Sequence, residues 1–257
     1  NSPYYFAPAA EPLLEVISPF QREFQKEIGL NHAKYFDKEG WLYFTKERFD
    51  LLYPSYGDTY PTYMGAIGMT YEQAGHTGLS VETDHGYLLT LIDRVAHHHT
   101  TGLSTVEVAA QNVERLNSEF SDFYVNTEKN ATNYVLSGKK DKIDLLKELL
   151  DKHEITYATA RAGKVKGYDA LEKKNRSMET SSESLVISTA QPKGKMVRVL
   201  MEPAAKLSDS LTYDITAWAL PYAYGVKAFA SPQKVEIASS TVAKLKANNP
   251  EADPYGY

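Results

Sequence analysis

The acidic side chain in "IGMTYEQAG", residues 67–75, is the strongest candidate for chemistry in this sequence. Glu72 closes a short run of small and apolar residues, which reads as a buried strand with a carboxylate at its C-terminal mouth. In open α/β sheets, ligands bind outside the carboxyl ends of the strands. A carboxylate there is placed to take a proton from water as a general base. Upstream, Tyr53, Tyr56, Tyr60, Tyr63 and Tyr71 cluster among Pro54, Gly57 and Pro61, in a chain with 19 Tyr against 9 Phe and 2 Trp. Tyrosine joins an apolar ring to a hydroxyl, so such a loop suits a binding surface, or a rigidly packed one.

Other chemistries find less in the residues. None of His32, His76, His85 and His153 begins a His-x-x-Glu or His-Glu-x-x-His spacing. The run His97, His98, His99 sits in a helical pattern, where neighbours point about 100° apart and cannot converge on one ion. There is no GxxxxGK[ST] loop, no GxGxxG after a strand and no GxSxG elbow. "GKK" at 138–140 follows a strand and opens a helix, a place where an anion is held weakly if at all. With no Cys in the chain, disulfides, thiolate metal sites and a thiol nucleophile are excluded.

Bulk composition narrows the partners. The 28 basic residues are scattered in a chain of net charge -5, so no phosphate-tracking stripe is present and nucleic acid is not an expected partner. No apolar stretch approaches the roughly 20 residues that span a bilayer. The 257 residues, 42% of them hydrophobic, can supply one large core or two ordinary ones.

The positioning elements follow from periodicity. Leu13, Ile17, Phe20, Phe24 and Ile28 predict an amphipathic helix over 11–28. "WLYF" at 41–44 fits a strand or a loop anchor, and 45–53 reads as a short helix opened by Thr45. Residues 86–115 suggest two helical stretches around "HHHTTG". Beyond the polar stretch near 130, "YVLSG", a Lys-rich helix with Ile143, Leu146 and Leu150, and "ITYATA" form a β-α-β unit. A charged loop (161–183) then leads to "SLVIST", a helix through "GKMVRVLMEP", and "WALPYAYGVKAFA". Strands alternating with helices predict a mainly parallel sheet of flavodoxin-like or amidotransferase-like topology. The expected organisation is 1–127, a small α/β domain over 128–235, and a polar tail or linker over 236–257.

Three segments carry a family likeness: "NSPYYFAPAAEP", "YPSYGDTYPTYMGAIGMTYEQAG" and "LIDRVAHHHTTGLSTVEVAAQN". In this order they resemble the zinc carboxypeptidases related to carboxypeptidase A, in particular the large bacterial members. The likeness covers about residues 1–115. It implies that 1–127 is the C-terminal part of a mixed-sheet α/β catalytic domain. It also implies that Glu72 is the general base of peptide-bond hydrolysis, acting on a metal-bound water, and that Tyr53 or Tyr56, Tyr53 by preference, covers the substrate. Zinc is the implied cofactor and a peptide or protein the implied substrate. The family's zinc ligands, and the Arg that receives the substrate carboxylate, would all fall before Asn1. The chain would then be inactive alone and act with the missing N-terminal part of the same protein, which the likeness assigns to the periplasm or the exterior. The alternative is a non-catalytic module of the same fold that holds peptide or glycan.

Overall fold

A computed structural model describes residues 3–73, 78–125, 130–207 and 218–241. The chain divides into two compact units, one of residues 1–126 with 204–218, the other of 127–203 with 219–257. Both mix helices with strands.

In the first unit the elements are β1 (Tyr4–Tyr5), α1 (Pro19–Glu39), β2 (Tyr43–Phe44), α2 (Thr59–Tyr63), β3 (Ser80–Glu82), β4 (Leu88–Thr90), α3 (Leu91–Gln111) and α4 (Val113–Val125). The first helix starts at Ser18-Pro19, later than its apolar stripe predicts. Ser18 accepts from the Gln21 amide, the Gln21 side chain accepts from Ser18 N–H, and Pro19 occupies the first turn, where no N–H is needed. Leu13 and Ile17 are still buried, but in non-helical chain ahead of the cap, where the Ile17 N–H donates to the Leu14 carbonyl in a turn. Gly40, at φ 69°, ends the helix in the left-handed conformation that suits glycine.

Residues 45–53 are not helical. Lys46 and Arg48 have φ of 61° and 65°, a left-handed backbone that breaks a right-handed turn. The expected break at "HHHTTG" is also absent: α3 runs unbroken through it, opened by a capping box between Thr90 and Asp93. Among the described residues, two clusters pack in this unit. Phe20, Phe24, Ile28 and Val108 pack with Ile67, Met69 and Leu116. Tyr4, Phe6 and Phe36 pack with Trp41, Tyr43 and Tyr71.

The second unit has β5 (Asn133–Ser137), α5 (Lys140–Lys152), β6 (Tyr157–Ala160), β7 (Gly163–Asp169), β8 (Lys174–Thr180), β9 (Leu185–Ser188), α6 (Gly194–Met201), α7 (Leu220–Ala223), β10 (Lys227–Ser231) and β11 (Ile237–Thr241). They form a seven-stranded sheet in the order β11-β6-β9-β5-β10-β7-β8. Every neighbouring pair is antiparallel. The expected mainly parallel sheet, and with it the flavodoxin-like or amidotransferase-like topology, is therefore incorrect. Strands β5 and β6 do run in the same direction, as a helical crossover requires, but β9 slots between them and opposes both. No helix lies between β6 and β9, so the chain comes back reversed. The four strands β10-β5-β9-β6 with their helices have the order and directions of a split β-α-β arrangement.

The charged stretch expected as a loop over 161–183 is the β7–β8 hairpin, paired without interruption from Gly163–Thr180 to Asp169–Lys174. Residues 236–257, expected as a polar tail, begin with the edge strand β11. Tyr134, Val135 and Leu136 on β5 are all buried, so both faces of the central sheet are covered. On one face Val135, Val186 and Phe229, brought side by side by the register, pack with Ala160, Val165 and Val235.

Phe229 sits at the middle of that face with 2% of its surface exposed. Phe229→Ala should lower the stability of this unit by about 3–5 kcal/mol, whereas Lys166→Ala on the exposed hairpin should change it by under about 0.5 kcal/mol. Urea unfolding of the two variants against the parent chain measures both.

Candidate functional site

Glu72 lies at the end of an extended segment rather than a strand, so the expected buried strand is also corrected. Residues 67–71 have no strand neighbour, and Glu72 makes an isolated antiparallel bridge with Tyr5. The Tyr5 N–H donates to the Glu72 carbonyl at 2.8 Å, and the Glu72 N–H to the Tyr5 carbonyl at 3.0 Å. Side chains replace the missing strand neighbours. Gln21 Nε2 donates to the carbonyls of Thr62 and Ala66 at 2.7 and 2.8 Å, and Gln25 Nε2 to that of Gly68 at 2.9 Å. The two glutamines are one turn apart on α1, on one face of the helix. The Gly68 N–H donates to Thr62 Oγ1 at 3.1 Å. A Cβ at Gly68 would fall 1.8 Å from the Asp58 carbonyl oxygen, so only glycine lets the segment lie this close to α2.

The Glu72 side chain is exposed, so it faces water and not the core. Its charge reaches Tyr4. Burial is the main cause that pushes the Tyr4 phenol up to about 12, a hydrogen bond with Thr101 opposes it, and the nearby Tyr71 and Glu72 add to the rise. The Tyr4 hydroxyl lies 2.8 Å from His98 Nδ1 and 2.9 Å from Thr101 Oγ1.

Two residues before Glu72, Thr70 forms part of the wall of a cleft of about 370 Å³, with Tyr56, Arg48, Asp50, Asp58 and Met69 around it. Thr70 Oγ1 donates to Asp58 Oδ2 at 2.5 Å, and Thr59 Oγ1 to Oδ1 at 3.2 Å. Of the two tyrosines singled out, Tyr56 lines the cleft and is half exposed, while Tyr53 stands behind it with its ring 5.1 Å away edge-on. Tyr56 thus lines the cleft, Tyr53 meets it through the ring of Tyr56, and Glu72 lies two residues along the chain from Thr70 on its wall. Sequence reasoning missed Asp58, Thr70 and the two glutamines. The one sequence signal for the glutamines is their four-residue spacing on the apolar side of α1.

His32 and His97 are occupied elsewhere. His32 is fully buried with Nδ1 2.8 Å from Ser104 Oγ, and His97 lies among Tyr4, Phe36 and Trp41 with Nδ1 2.6 Å from Gln73 Oε1. His76 lies outside the described residues. Among the described residues no three His, Asp or Glu side chains gather where they could hold a metal ion. The zinc implied by the family likeness therefore has no matching ligand set in the described part of the chain. At "GKK", Lys140 pairs with Asp144 in the first turns of α5. No protein-family model, curated protein or solved structure matches the chain.

Two measurements probe this framework. Gln25→Leu keeps the side-chain volume but leaves the Gly68 carbonyl without its donor, and should cost about 1–3 kcal/mol in urea unfolding. Burial lowers the His32 imidazole from 6.5 to about 4, and shifts His97 in the same direction. The unfolded chain therefore binds more protons than the folded one between these two values. Stability should fall as pH drops from about 6.5 to about 4, by about 3 kcal/mol for His32. His32→Asn should flatten that slope in unfolding curves recorded across the window.

Proposed function

We propose that the chain carries the general-base part of a carboxypeptidase-like peptide hydrolase, its first unit being part of a carboxypeptidase-like α/β domain. The observation that carries this reading is the placement of Glu72. A solvent-facing carboxylate is held by its own backbone against Tyr5, on an arm whose other end is pinned to α1 and α2, two residues from a cleft that fits a side chain. A general base needs this combination of exposure to water and a fixed backbone.

In this reading Glu72 takes a proton from the attacking water and later returns it to the departing amine. Tyr56 and Thr70 form the wall against which a peptide side chain rests. Asp50, Asp58 and Arg48 on the same wall favour a substrate side chain that is polar. Zinc would polarise the scissile carbonyl in such a hydrolase, and its ligands would come from outside the described residues. The family likeness further implies an exported protein. No helix among the described residues is long and apolar enough to cross a membrane.

Glu72→Gln should abolish release of C-terminal amino acids from peptides by the intact protein while leaving its zinc content and thermal midpoint unchanged. Hydrolysis retained at the parent rate would overturn the assignment. An intact parent protein with neither hydrolysis nor stoichiometric zinc would instead mark the peptide- or glycan-binding alternative.

A further inference from the structure

Helix α3 turns a polar face inward. A helix packed on a core ordinarily buries an apolar stripe, but of the buried side chains of α3, His97, Thr101 and Ser104 are polar and Val108 alone is not. Their partners show what that face holds. His97 Nδ1 lies 2.6 Å from Gln73 Oε1, Thr101 Oγ1 2.9 Å from the Tyr4 hydroxyl, and the half-buried Thr105 Oγ1 2.6 Å from the Tyr71 hydroxyl. His97, Thr101 and Thr105 are spaced by four, so they stand in one row along the helix. All three grip the chain around the Tyr5–Glu72 bridge.

The bridge divides the side chains between two faces. Successive residues of extended chain point to opposite sides, and bridge partners point to the same side. Tyr4, Tyr71 and Gln73 therefore face α3, while Tyr5 and Glu72 face away from it. On that other side Tyr5 packs its ring on Phe44 and Phe49, and Glu72 reaches water. The direction of the carboxylate is thus set by the residues before and after it, and both are anchored on α3.

The anchors are themselves fixed. Thr105 Oγ1 donates to the Thr101 carbonyl at 2.8 Å, which leaves its oxygen to accept from the Tyr71 hydroxyl. The Tyr71 ring also meets His32 of α1 edge-on at 5.0 Å. Gln73 is a poor choice for stability alone. It is 9% exposed, and its Nε2 finds no hydrogen-bond partner among the described residues. An unpaired buried donor is costly, and a leucine there would carry none. What the amide adds is one directed contact with His97.

We propose that His97 and Thr105 are positioning residues for Glu72, holding Gln73 and Tyr71 so that the carboxylate leaves the surface in one direction. The inference rests on the reading of Glu72 as the general base. In the intact protein Thr105→Val and Gln73→Leu should each lower kcat for peptide hydrolysis on the order of tenfold, with KM within about twofold and zinc content unchanged. Thr105→Ser, which restores the hydroxyl, should recover kcat to within about twofold of the parent. Tyr71→Phe should match Thr105→Val, and the double variant should be no slower than either, because both remove the same bond. Tyr71→Phe, which changes one oxygen, also keeps the test open if circular dichroism shows Thr105→Val misfolded. Amide hydrogen exchange, read without substrate, should quicken at Glu72 and Tyr5 in Thr105→Val and in Gln73→Leu, since those two N–H groups close the bridge. Parent kcat in either variant, unchanged exchange, or a loss that Thr105→Ser does not recover overturns the inference, and an inactive Glu72→Gln beside it leaves the general-base reading standing. Hydrolysis that survives Glu72→Gln, or none by the parent protein, overturns both.

Discussion

Two glutamine amides on one face of α1 stand in for a missing strand, and the candidate site rests on that substitution. A backbone carbonyl removed from water needs a donor. Along the arm that leads to Glu72, the donors come from Gln21 and Gln25 and not from a sheet. Each amide is anchored on a 21-residue helix with both ends capped, so the arm takes its stiffness from α1. Thr62 and Asp58 fix the opposite side through Gly68. What reaches the surface is a short, well-held chain with a carboxylate at its tip and a threonine on the wall of a cleft.

The same helix shows how polar the interior of this unit is. Between α1 and α3 lie His32, Ser104, Asn31 and Glu107 in a linked set of hydrogen bonds, with His97 and Gln73 close to the aromatic cluster around Phe36. Among the described residues, His32 Nε2 and Gln73 Nε2 find no hydrogen-bond partner. Buried polar groups of this kind specify one arrangement of the helices more than they add to its stability, and they make it sensitive to protonation. On α3 they occupy the buried face with His97, Thr101 and Ser104, while Ile92, Val95, Leu103 and Val106 lie exposed.

Much of the local structure was legible in the residues and much of the global arrangement was not. Periodicity located α5, α6, β5, β6 and β9, because each buries a regular set of side chains. It carried no information about strand direction. The hairpin β7–β8 was invisible because its residues are mostly exposed on both faces, so lysine and glutamate mask the alternation that marks a strand. The segment before Glu72 read as a buried strand because its residues are small and apolar, but they pack there against α1, α2 and α3 and not beneath a sheet. The prominence of Glu72 came from its residue type, its place and a family likeness. Of the groups that hold it, Gln21 and Gln25 are far off in sequence with only their four-residue spacing as a signal, and Asp58 and Thr62, though near, carry no pattern that points to them. At 45–53 the helical reading failed on backbone conformation at Lys46 and Arg48, to which composition gives no clue.

The order of strands in the second unit bears on how the protein is made. Strand β10, at Lys227–Ser231, lies between β5 and β7, although both of those leave the ribosome long before it. Until residue 231 has emerged, β5 has one bare edge and the β7–β8 hairpin has no sheet to join. Contacts this distant along the chain close slowly. The nascent polypeptide therefore leaves this part of the sheet incomplete for the synthesis of about ninety further residues after Leu136 and about sixty-five after Val165, an interval in which chaperone binding or mispairing competes with completion of the sheet.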